Sequence, residues 1–301
     1  MELCSIETWL LEGHTMNRRT LLKLSAASMA ALALPTAGCT LAQATAEGGD
    51  LAELTITVRD DGYDIPDGLT AGRYAVSVVN AGTTPSHASL GRLPDGVTEE
   101  QVMTDMSSQT QELPDWFLNA GYVGLPDWAP PGETRSGVVD LSAGNFFMFD
   151  PFSSRNAFVT VAEGEAMGAE PDSAATVEMT EMHFMLPEGG LPTGAARLKI
   201  SNIGAIPHEF QVLAVPEGTT ADQIAALFAM PEDATPAPGD ELAQALVDYA
   251  PVAATSILGA GLTSWIDTDL APGTYAVICA LPFPDGVPHA MQGMLEIVTL
   301  A

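Results

Sequence analysis

The chain has 301 residues, about two domains' worth, and 47% of them are apolar, which is ample for two cores. Its 39 acidic residues against 10 basic ones give a formal charge of −29. So cation-poor a surface repels nucleic acid and anionic lipid headgroups, which both need Lys/Arg patches, and leaves a cationic protein as the expected kind of partner.

Residues 1–15 read as an upstream extension that is not translated, although they carry Cys4, Trp9 and His14, with Met16 as the start. Arg18-Arg19-Thr20-Leu21-Leu22-Lys23 then forms a basic region ahead of an apolar run, residues 24–34, which has signal-peptide length and is too short to span a bilayer. The paired arginines resemble a twin-arginine export signal, with Asn17 where Ser or Thr is commoner and Leu21 where Phe is commoner. Two processing sites follow. Thr36-Ala37-Gly38-Cys39 has the form of a lipoprotein box, which makes Cys39 a lipidation candidate, while Ala44-Thr45-Ala46 is a small-x-small site for soluble release. Residues 16–46 are therefore expected to export the chain to the periplasm or to the outer face of a membrane, with or without a lipid anchor. No other stretch has the length of a transmembrane span.

Beyond residue 46 the sequence repeats. Residues 64–82 correspond to 185–204, Pro85-Ser-His87 to Ile206-Pro-His208, Leu93-Pro-Asp-Gly to Val215-Pro-Glu-Gly, and Asp140-Leu-Ser-Ala-Gly-Asn-Phe146 to Asp269-Leu-Ala-Pro-Gly-Thr-Tyr275. Leu54, Ile56 and Val58 alternate with polar neighbours, as do Tyr74, Val76 and Val78, then Ala196, Leu198 and Ile200, and finally Tyr275, Val277 and Cys279. This period predicts strands, and frequent Gly and Pro favour sandwiches. Thr98-x-x-Gln101 and Thr220-x-x-Gln223 read as capping boxes, one helix in each half. The expected fold is all-β: two tandem Greek-key β-sandwiches, residues 47–162 and 176–301, each with a short helical insertion and joined by a linker at 163–175.

Cys279 is the one thiol left once Cys4 and Cys39 are set aside, and an unpaired cysteine in an oxidising compartment is either a buried small hydrophobe or a metal ligand. Its neighbours favour the ligand. His208 follows a turn between strands, Cys279 ends a strand, and Pro288-His289-Ala-Met-Gln-Gly-Met294 precedes the last one. Two imidazoles, a thiolate and a weak thioether suit copper in both its redox states.

This order of His, Cys, His and Met resembles the cupredoxin, or blue-copper, family over residues 176–301. The resemblance implies that His208, Cys279 and His289 form a trigonal plane, that Met294 is axial, and that one copper per chain carries electrons between partners. It further implies that His289 is the exposed edge through which they pass. Met291 is the alternative axial donor, and a copper chaperone or storage protein and a metal-free binding module are the alternative functions. Nine residues separate Cys279 from His289, where the family usually has two to four, so the insert must fold back, and its Pro, Asp and Gly are turn residues.

In the first half Asp150 falls in the cysteine column and Ser153-Ser-Arg-Asn-Ala-Phe replaces the His/Met loop. That half is expected to be a degenerate scaffold in which His87 has no role. Met179, His183 and Met185 share one face if residues 177–185 form a single strand; they are read as core rather than as a Cu(I) site. The tetrapeptides ending at Trp116 and Trp128 are read as loop anchors on the first sandwich. An enzyme is not expected, because Ala280 follows Cys279 where a further imidazole would bridge to a second copper centre, and few other histidines remain.

Overall fold

The computed structural model describes residues 51–108, 113–164, 167–229, 237, 239–282 and 286–301. The export segment and Cys39 lie outside them. The fold is mostly β, and its two halves repeat one strand order. In the first half β1 (Ala52–Arg59) runs parallel to β3 (Gly72–Asn80) and antiparallel to β2 (Gly62–Asp64), and β3 pairs with β6 (Thr134–Leu141). In the second half β9 (Ala175–Thr180), β10 (His183–Met185), β11 (Gly194–Asn202) and β14 (Thr263–Leu270) repeat the arrangement. The facing sheets are β5 (Gly121–Tyr122), β4 (Ser89–Arg92), β7 (Gly144–Phe149) and β8 (Asn156–Val161) in one half, and β13 (Ala253–Leu258), β12 (His208–Ala214), β15 (Gly273–Ile278) and β16 (Leu295–Leu300) in the other. Among the described residues no strand lies between β8 and β9.

Alternation works as expected on the outer strands, where Leu54, Ile56 and Val58 are buried between exposed or half-buried neighbours. It fails on β15. There Ala276 and Ile278 are buried as fully as Tyr275 and Val277, because a second apolar cluster with Ile224, Ala290 and Leu295 covers the other face. Part of that cover is helical. α1 (Glu99–Ser107) and α3 (Ala221–Phe228) start at the two expected caps, with Thr220 and Gln223 closing a reciprocal box. Each half also carries a helix not foreseen from the caps, α2 (Asp115–Asn119) and α4 (Glu241–Asp248). Among the described residues no helix is long and apolar enough to cross a membrane.

The halves are joined edge to edge. β14 pairs with β6 through Trp265↔Val138 and Ile266↔Gly137, so the two outer sheets form one eight-stranded sheet. A Cβ on Gly137 would stand 2.1 Å from the Trp265 carbonyl oxygen, so only glycine allows this approach. Residues 122–127 run along β13 with bridges Val123↔Leu258 and Pro126↔Thr255. This seam is where the sites of the two halves come nearest.

Candidate metal centre

Each half delivers a histidine by the same turn. The Asn80 side-chain oxygen accepts from Gly82 N–H at 2.9 Å and its amide donates to Thr84 O, as Asn202 accepts from Gly204 N–H at 3.0 Å and donates to Ile206 O. The turn's backbone groups are thereby satisfied, and His87 and His208 enter the molecule buried.

In the second half, His208 heads β12 and Cys279 follows β15. Past Cys279 the insert folds back on itself. Pro282 bridges Pro288, His289 N–H donates to Leu281 O at 3.0 Å, and Ala290 N–H donates to Cys279 O at 2.9 Å. Residues 283–285 of the insert are outside the described set. His289 opens a short 3₁₀ helix, His289–Gln292, which Gly293 ends with φ of 111°, a conformation glycine adopts freely. The chain then turns into β16, and Met294 N–H donates to His289 O while Cys279 N–H donates to Met294 O.

These connections converge three donor atoms. His208 Nδ1 and His289 Nδ1 are 3.1 Å apart and Cys279 Sγ is 3.4 Å from His289 Nδ1, all within 4.8 Å of one another. First-row ions hold an imidazole nitrogen at about 2 Å, which puts three donors around one ion about 3.5 Å apart. The donor set therefore fits a single ion, and its soft thiolate with two imidazoles suits copper or zinc. His208 and Cys279 are 0% exposed, His289 2% and Met294 0%, whereas Met291 is 38% exposed. The implied exposed edge at His289 is therefore corrected: that residue is buried with the other donors.

The electrostatics prepare the ligands unequally. Burial lowers His208 to about 4, so its imidazole is neutral and ready to donate a lone pair at neutral pH. Burial raises the Cys279 thiol well above its ordinary range, with Glu209 adding to it, so metal must displace a strongly held proton. Against that, Glu209 N–H donates to Cys279 Sγ at 3.2 Å.

The first half holds no such group among the described residues. Asp150 is buried, paired with Arg155 and accepting from Phe152 N–H at 2.8 Å. His87, expected to have no role, is instead ion-paired with Asp127 and lies 3.7 Å from Glu209 of the second half. Trp116 packs on Phe117 and Phe147 of the first sandwich, but Trp128 packs at the seam, on His87, Phe152 and Tyr249. Residues 175–185 form a hairpin turning at Met182, not one strand, so Met179 points into the core while His183 and Met185 are exposed.

No protein-family model and no curated protein matches the chain. Among solved structures, it is similar to dithionite-reduced auracyanin from Roseiflexus castenholzii, at 25% identity over 42% of this chain and 94% of that one, with a TM-score of 0.28. It is also similar to a copper-containing nitrite reductase from Thermus scotoductus, at 12% identity over 82% of this chain and 61% of that one (TM-score 0.23). A multicopper oxidase is similar at 12% identity over 83% and 88% (TM-score 0.22). The expectation that the chain is not an enzyme is thereby corrected, since enzymes stand among the similar structures.

Proposed function

We propose that this chain is an exported copper protein of cupredoxin type, in which His208, Cys279, His289 and Met294 would hold one copper, and that it carries electrons. The observation that carries this reading is the convergence of two imidazole Nδ1 atoms and one thiol, all buried, within 4.8 Å. Copper so ligated supplies a one-electron couple. The protein's part is to present a neutral His208, to fix the donors by the backbone bonds among Cys279, His289 and Met294, and to exclude water. Burial of Met294 with Cys279 in one apolar cluster supports it over exposed Met291 as the axial donor. With Asp150 engaged by Arg155, the first half serves as a scaffold domain, which supports one copper per chain. Electrons leave toward a cationic partner: all seven Lys and Arg side chains among the described residues are ion-paired with carboxylates, so the free surface charge is acidic.

The test is Cu(II) addition to purified protein beginning at residue 47, followed by visible spectroscopy and metal analysis. An intense copper–thiolate band at one copper per chain is expected, lost in Cys279→Ser with unchanged far-ultraviolet dichroism. No band, with no copper retained after dialysis, overturns the reading.

A further inference from the structure

The seam contains a buried row of ionisable side chains that the ligand set alone does not require. His87 Nδ1 is ion-paired with Asp127 Oδ2, and His87 Nε2 stands 3.7 Å from Glu209 Oε1. Asp127 is itself fixed, since its Oδ1 accepts from Ala88 N–H at 3.0 Å and its own N–H donates to Ala254 O. The His87 ring is flanked by Trp128 and Phe152, with centroids 5.3 and 5.2 Å away. Trp128 has φ of 58°, a left-handed conformation uncommon for a bulky aromatic. At the other end Glu209 Oε2 accepts from Gln211 Nε2 at 3.0 Å, and Gln211 Oε1 accepts from Tyr249 OH.

Glu209 is the residue after His208, and it is its N–H that donates to Cys279 Sγ. The row thus runs from Asp127 in the first half to the sulfur in the second. The repeat does not mirror it, because Ala88 follows His87 where Glu209 follows His208.

Resting on the copper reading above, we propose that His87 is a positioning residue for the copper centre, setting its reduction potential by anchoring Glu209 and through its charge. Two buried carboxylates beside each other are costly unless a cation compensates them, and an imidazolium between Asp127 and Glu209 does so. With Glu209 hydrogen-bonded at Oε2 and facing the His87 ring at Oε1, its N–H stays aimed at the sulfur. Hydrogen bonds to the cysteine sulfur tune the potential of such centres: by drawing electron density from the thiolate they favour the reduced form. A nearby positive charge acts in the same direction, because the oxidised site carries one more positive charge, and the Glu209 carboxylate acts oppositely.

The experiment compares the copper-loaded parent with His87→Gln, Glu209→Gln and the double variant, reading midpoint potential and visible band. His87→Gln is expected to lower the potential, Glu209→Gln to raise it, and the double variant to lie nearer the parent than either. Opposite signs are a signature that loss of packing does not produce. Unchanged potentials in both single variants, whatever happens to their melting temperatures, overturn the proposal. If His87→Gln does not fold, Glu209→Gln alone decides, a raised potential supporting the proposal and an unchanged one overturning it. If the parent shows no copper–thiolate band, the copper reading fails separately. The amide resonance of Glu209 in the metal-free protein then decides the positioning claim: displacement in His87→Gln supports it, and no displacement overturns it.

Discussion

Between pH 6.5 and 9 the metal-free fold is expected to weaken mainly through one imidazole, joined above about pH 8.5 by the Cys279 thiol, which burial raises. Burial alone would depress His87, but the charge and hydrogen bond of Asp127, with Glu209 and Asp150 adding to them, outweigh it and raise His87 to about 9. The folded chain then keeps a proton that the unfolded chain releases near its ordinary value of about 6.5. A folded state that binds more protons loses stability as pH rises. The contribution is complete below pH 6.5 and is lost as pH climbs through about 9. One proton corresponds to about 1.4 kcal/mol per pH unit, so the window costs about 3 kcal/mol. Among the other groups, Glu209, raised by burial to about 7, acts in the same direction only at the lower edge of the window. His208, lowered by burial to about 4, is neutral in the folded state throughout.

Urea unfolding at constant ionic strength, every half pH unit from 6.5 to 9, measures this directly. The parent is expected to lose stability steadily, whereas His87→Gln starts lower and stays nearly flat until about pH 8.5, where the unfolded Cys279 thiol begins to ionise. It starts lower because Asp127 is left buried without its cation, a change that costs about 3–5 kcal/mol when one member of a buried pair is removed. Equal pH slopes in the two proteins would refute the assignment of the raised group to His87.

Met294→Ala should cost about 2–5 kcal/mol in chemical denaturation, because Met294 is fully buried, whereas Met291→Ala on the exposed turn should stay within about 0.5 kcal/mol. Gly137→Ala should lower the melting temperature by several degrees and raise hydrogen exchange at Val138 and Trp265, since the new Cβ collides with the Trp265 carbonyl where the two sheets join. Protection unchanged at both positions would contradict that account of the seam. Thr220→Ala removes a reciprocal cap and should cost about 1 kcal/mol, seen as a lowered urea midpoint.

What the sequence made legible was whatever repeats or runs locally. The matched segments place β3 as the counterpart of β11, and in the structure each runs parallel to the first strand of its half, β1 or β9. The two Thr-x-x-Gln caps start the helices that the structure contains. The ligand order was readable because turn, strand end and final loop are each local signals. The seam was not, because its contacts join residues far apart in the chain and leave no period behind them. Glu209 and Gln211 illustrate why. In His208-Glu-Phe-Gln-Val they alternate with Phe210 and Val212, the pattern of a strand with one solvent-facing side. Every residue of that stretch is buried, and the polar side faces the other half instead of water. A period of two distinguishes the faces of a strand but not water from a polar seam. The available clue was compositional: a carboxylate directly after one repeat's histidine where the other repeat has alanine.

That asymmetry changes what the first half contributes. Asp150, in the cysteine column, is neutralised by Arg155, leaving Asp127 and Glu209 to share His87. The histidine that occupies the ligand position of the first repeat is turned toward the second, and the strand it faces begins with His208. Each carboxylate near it is thus either paired with a cation or held by hydrogen bonds, as buried polar groups must be. On the proposed reading, the first half bears on the candidate metal centre by fixing the residue whose N–H meets the sulfur, and not by offering a ligand.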